Sequence, residues 1–135
     1  MTTIGTEHPN AALARRGYEA FNNADLETMT ELMDENASWH TPGRSSIAGD
    51  YQGRDAVFGQ FGRYGSETGG TFKAELEGLF TSDDGRVIGL HRNSGERNGK
   101  RLDTGCCIVF EFENGRMISG REHFFDLDNW DEFWS

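Results

Sequence analysis

The spacing of apolar residues changes once along this chain, near Thr71, and that change limits the fold more than any other feature. Before it, the spacing is helical. Leu13, Gly17, Ala20 and Phe21 share one face with Tyr18 at its edge, Leu26, Met29, Leu32 and Met33 make a second stripe, and Val57, Phe58, Phe61 and Tyr64 a third. After it, the period is two. Phe72, Leu76 and Phe80 alternate with Lys73, Glu75 and Glu77, and "RVIGLHRN", "KRLDTGCCIVFEF" and "RMISGREHFF" follow as strand-like runs. "SDDG", Asn98-Gly99 and "ENG" separate these runs as turns. With a short strand at "ASWHT", the order is helix, helix, strand, helix and four consecutive antiparallel strands. That order predicts an α+β fold, helices packed on one face of a meandering sheet.

Local signals refine the outline. Asn10 after Pro9 is the expected cap of the first helix, and Asp25 that of the second. "PGRSSIAGDYQG" reads as a loop, and a third helix starts near Arg54. The tail "NWDEFW" reads as one amphipathic helical turn or an apolar plug. The chain of 135 residues is expected to form one domain over 1–135, with residues 1–9 a flexible N-terminus.

Charge and composition exclude some functions. A net charge of −10 repels phosphate backbones and acidic membrane surfaces, so neither nucleic acid nor membrane is an expected partner. The start of the chain lacks a basic stretch followed by an apolar one, so a cytoplasmic location is expected. Cys106 and Cys107 are neighbours that a strand points to opposite faces, and both are expected as free thiols. "CCIVF" is apolar on both faces, and helices can cover only one. A second copy of the chain is expected over the other, as a homodimer. No metal is expected, for want of ligand spacing, and no cofactor, for want of a glycine motif that cradles phosphate.

Several stretches together resemble the SnoaL-like branch of the nuclear transport factor 2-like superfamily. They are "RRGYEAFNNADLETMTELMDENASWHTPG", "YQGRDAVFGQF" and "ENGRMISGREHFFD", which span nearly the whole chain. The resemblance implies a cone: three N-terminal helices packed on a strongly bent, mainly antiparallel sheet around an apolar pocket. Its members include polyketide cyclases, ketosteroid isomerases, limonene epoxide hydrolases and scytalone dehydratases, most of them homodimers. Where the isomerases carry a general-base Asp, this chain has Thr41, which cannot act as a base near neutral pH. Where the epoxide hydrolases carry a last-strand Asp and a first-strand Asn, it has His123 and His40.

Imidazole suits proton transfer near neutral pH, and burial in an apolar cone keeps it neutral. His123, His40 and His91 are therefore the expected catalytic residues, with Tyr18, Trp39, Phe61 and Phe125 lining the substrate pocket. Glu122 is expected on the face opposite His123, paired with an arginine, and Asp126 as a cap. The expected function is a cofactor-independent acid–base enzyme acting on a small, largely apolar molecule. It would be of cyclase, isomerase, dehydratase or epoxide-opening type. A non-catalytic binding protein and a dimeric scaffold with a filled pocket are the alternatives. A cavity of about 300 Å³ or more with two converging polar groups would favour the first two.

Overall fold

The structure, a computed structural model, describes residues 7–135. The first six residues of the expected flexible N-terminus lie outside the described residues. Helix α1 (Pro9–Asn22) and α2 (Leu26–Leu32) lead into β1 (Met33–Thr41) and β2 (Gly49–Gln52). After α3 (Arg54–Ser66) come β3 (Lys73–Thr81), β4 (Val87–Arg97), β5 (Lys100–Glu113) and β6 (Arg116–Phe124), and α4 (Leu127–Trp134) closes the chain. The six strands form one open sheet in the order β2-β1-β6-β5-β4-β3. Every neighbouring pair is antiparallel except β1 with β6. This is the expected α+β architecture with one parallel contact and one helix more than expected.

Local chemistry sets the boundaries. His8, not Asn10, caps α1: its Nδ1 accepts from the Asn10 backbone N–H at 3.0 Å, and Pro9 occupies the first turn, where its missing donor costs nothing. The Asn10 side chain instead donates to Gly85 O at 2.9 Å, tying the helix start to the β3–β4 turn. Asp25 caps α2 and Asp126 caps α4, each accepting a backbone N–H three residues on. The hairpins turn at Asn98-Gly99 and Asn114-Gly115, all four at positive φ.

Two expectations about this region need correction. β1 starts at Met33, directly where α2 stops, so Met33 belongs to a strand and not to the helical stripe. Part of the expected loop is β2, whose Tyr51 stands opposite Trp39. Glycine and serine density concealed a four-residue edge strand. Register shifts at Leu76/Gly78, Glu111/Phe112 and Met33/Ser38 bend the sheet around the helices.

Two apolar clusters fill the concave side. One joins α1 to the sheet through Ala14, Tyr18, Trp39, Val57, Ile108 and Phe110. The other gathers Ile47, Tyr64, Phe72 and Leu102 around Trp130, Phe133 and Trp134 of α4. The tail is thus a helix and a plug at once. Trp130 stacks on Phe124 with 3.9 Å between ring centroids, and full burial of both tryptophans makes α4 a major part of the core.

Candidate functional site

Between α1, α2, α3 and the concave sheet face lies an aromatic cavity of about 80 Å³. Leu13, Gly17, Tyr18 and Phe21 reach it from α1, Phe61 and Tyr64 from α3, and Trp39, Ile108, Phe110 and Met117 from the sheet. Its polar wall is small and divides into two groups. Its volume is well below that expected for a roomy ligand site. Edge-on aromatic contacts, such as Phe61 with Trp39 and with Phe21, occupy much of the cone.

Glu122 is the centre of the first group. It projects inward from β6 and is 4% exposed. Its Oε1 accepts three hydrogen bonds: from Trp39 Nε1 at 2.8 Å, from the Thr41 hydroxyl at 2.6 Å and from the Tyr64 hydroxyl at 3.0 Å. Three donors exceed the lone pairs of one oxygen. Oε2 accepts none among the described residues, and Glu122 lines the cavity. Burial pushes the carboxyl pKa above its ordinary value, while the bonds from Thr41, Trp39 and Tyr64 oppose the rise. The same burial, reinforced by Glu122, keeps the Tyr64 hydroxyl protonated.

The second group is His91 with Tyr18 and Asn93. His91 is 1% exposed on β4. Its Nδ1 lies 2.7 Å from the Tyr18 hydroxyl and its Nε2 2.9 Å from Asn93 Oδ1. An amide oxygen only accepts, so Nε2–H donates to Asn93 and the Tyr18 hydroxyl donates to Nδ1. Burial pulls the His91 pKa down to about 4, against the pull of the Asn93 bond, and it pushes Tyr18 far up. The pair is therefore neutral across the physiological range. The room for it comes from Gly89, where any Cβ would collide with the Tyr18 hydroxyl.

Of the expected catalytic residues, the structure brings only His91 to the cavity. His123 is exposed on the convex face, because β6 alternates and its neighbour Glu122 takes the inward position. His40 alternates in the same way with Trp39 and Thr41. It lies outside, with its Nδ1 2.6 Å from Asp50, in a polar recess shared with Arg121 and Glu111. Tyr18, Trp39 and Phe61 line the cavity as expected. Phe125 does not: it is 67% exposed and its ring lies over Gly105, an outward position of β5. Glu122 was expected on an outer face beside an arginine and is instead the buried acid of the site. Nothing in the sequence around Asn93 marks it as a site residue. Among the described residues, no three His, Cys, Asp or Glu side chains cluster as a metal site would require.

A bent α+β cone with an apolar cavity and a few inward polar groups defines a class of small domain built around an internal site. A SnoaL-like domain matches residues 14–120, and the chain belongs to that family. Bal32a, from a soil-derived mobile gene cassette, is 72% identical, with a TM-score of 0.93 over 94% of this chain and 97% of that one. An uncharacterized protein of Mycobacterium tuberculosis is 29% identical over 130 residues, covering 96% of this chain and 99% of the relative. IdmH of Streptomyces antibioticus, a proposed polyketide cyclase, is 19% identical, with a TM-score of 0.72 over 87% of this chain and 93% of that one. That last likeness is one of fold.

Proposed function

We propose that the cavity is a reaction site. Glu122 moves a proton to or from a small, largely apolar molecule without a cofactor, and Tyr18 and His91 meet the polar end of that molecule. One observation carries the reading. A buried carboxyl group that lines an aromatic cavity has one oxygen saturated by three donors and no bond to the other among the described residues. A raised pKa brings such a group closer to neutrality, where it can give and take a proton. Isomerisation, dehydration, aldol-type cyclisation and epoxide opening all need that step. Among the described residues, the cavity wall holds no lysine or arginine, which disfavours anionic ligands.

A second reading has its own support. The small free volume fits a filled-core scaffold or a ligand of few atoms better than a large polyketide. One experiment separates the two. A small ketone such as cyclohexanone is incubated with the protein in D₂O, and exchange at the carbon beside the carbonyl is followed by NMR. The proposal expects catalysed exchange that falls by about a hundredfold in Glu122→Gln, the usual scale for a lost general base. Equal exchange in both proteins sinks it.

We also propose a homodimer through the convex face, in a reducing compartment. Ile88, Phe80 and Phe125 are large, exposed apolar residues, and Leu90, Cys107 and Val109 continue the convex face between them. Both cysteines are free. Among the described residues, no helix is long and apolar enough to cross a membrane.

A further inference from the structure

Behind Glu122, away from the cavity, stands Gln60 of α3. It is 1% exposed. Its Nε2 donates to Thr41 Oγ1 at 2.6 Å and to the Ile47 carbonyl at 3.1 Å. Its Oε1 is buried with no partner. A buried orphan acceptor is costly, and a leucine of similar size would avoid it. The amide therefore serves something on its nitrogen side.

Donor and acceptor counting says what. The Ile47 carbonyl can only accept, so the nitrogen must face that way, and its second hydrogen meets Thr41. Thr41 then accepts from Gln60, and its single hydroxyl hydrogen is left for Glu122 Oε1 at 2.6 Å. The chain Gln60 to Thr41 to Glu122 runs in one direction only. We propose that Gln60 is a positioning residue: it aims the Thr41 hydroxyl at Oε1, and so leaves Oε2, which accepts no bond among the described residues, as the oxygen that carries the exchangeable proton. The proposal rests on the reading of Glu122 as the proton-transferring group and adds the element that orients it.

The titratable groups around Glu122 are Tyr64 from α3, His40 from β1, Cys106 from β5, Tyr18 from α1 and Tyr51 from β2. Gln60 carries no charge, so an effect of Gln60→Leu on Glu122 acts through the hydrogen bonds. Gln60→Glu reverses the chain instead. A carboxylate at residue 60 takes the Thr41 hydrogen, strips one donor from Oε1 and adds a negative charge nearby.

The test follows the Glu122 carboxyl by ¹³C NMR across pH in the full chain, with Glu122→Gln to assign the signal. Loss of one donor to the charged form should raise the midpoint by about one pH unit in Gln60→Leu and in Thr41→Val, and by more in Gln60→Glu. Thr41→Ser, which keeps the hydroxyl, should restore the parent midpoint. A Gln60→Leu midpoint equal to the parent's, with Thr41→Val shifted, overturns the positioning role and leaves Glu122 as the acid. A parent midpoint no higher than an ordinary glutamate's overturns the underlying reading instead. If Gln60→Leu does not fold, the parent alone decides. The Gln60 side-chain ¹⁵N signal should move with the Glu122 titration, and an unmoved signal overturns the proposal.

Discussion

Lowering the pH should destabilise this protein through His91, and the size of the effect follows from its surroundings. In the fold the imidazole stays neutral down to about pH 4, whereas in the unfolded chain it takes a proton near its ordinary 6.5. Between those values the unfolded state binds more protons, so stability rises with pH. The contribution is complete above about 6.5 and is lost as pH falls toward 4. At about 1.4 kcal/mol per unit, the depression is worth about 3 kcal/mol, a substantial part of the 5–15 kcal/mol typical of a domain. Urea unfolding of the parent and of His91→Gln at pH 7, 5.5 and 4, at one protein concentration, measures it. Other titrating groups cancel in the difference, so the parent should lose about 3 kcal/mol relative to the variant across that range. A difference constant to within about 0.5 kcal/mol would refute the reasoning. So would an imidazole midpoint near 6.5 in the folded parent by NMR.

Glycines that shape the cavity give two further tests. Gly17 lies within α1 and lines the cavity, and a Cβ there meets nothing within 4 Å. Gly17→Ala should raise stability by about 1 kcal/mol in thermal unfolding, while Gly17→Leu should fill the cavity and abolish ketone exchange. Gly89→Ala should push Tyr18 off His91, cost about 1–3 kcal/mol in urea unfolding and move the His91 midpoint upward. On the convex face, sedimentation should show a dimer for the parent and a monomer for the double variant Ile88→Lys, Val109→Lys. A parent that stays monomeric at micromolar concentration refutes that interface.

The elements were legible because most of them obey local rules. The period change at Thr71, the Asn98-Gly99 and Asn114-Gly115 turns and the Asp25 cap each rest on a few neighbouring residues. β2 was not legible, since its "GDYQ" has turn-forming composition and is a strand only because β1 lies beside it. The cavity was half legible. Tyr18, Trp39 and Phe61 are apolar on core-facing positions, and apolar pattern finds such residues. Asn93 and Gln60 are polar residues buried by tertiary contacts, and nothing within their own segments distinguishes them from surface residues.

The choice between Glu122 and His123 shows where pattern fails and what replaces it. In "SGREHF" both candidate faces of the strand carry charged or polar groups, so hydrophobic alternation cannot say which face is inner. The glycine two residues earlier can. A glycine within a strand marks a place where another group comes close. Here that group is the Trp39 indole, whose ring lies where a Cβ of Gly120 would be. β1 and β6 are parallel neighbours with Trp39 beside Gly120, so the bulkiest residue of one strand rests over the smallest of the next. Trp39 is buried and lines the cavity, which assigns Gly120 to the inner face. The two-residue period then carries Glu122 inward with it and turns His123 out. The indole that fixes the register is also the one that donates to Glu122 Oε1. The packing that sets the strand's face thus also supplies one of the bonds that orient its carboxylate.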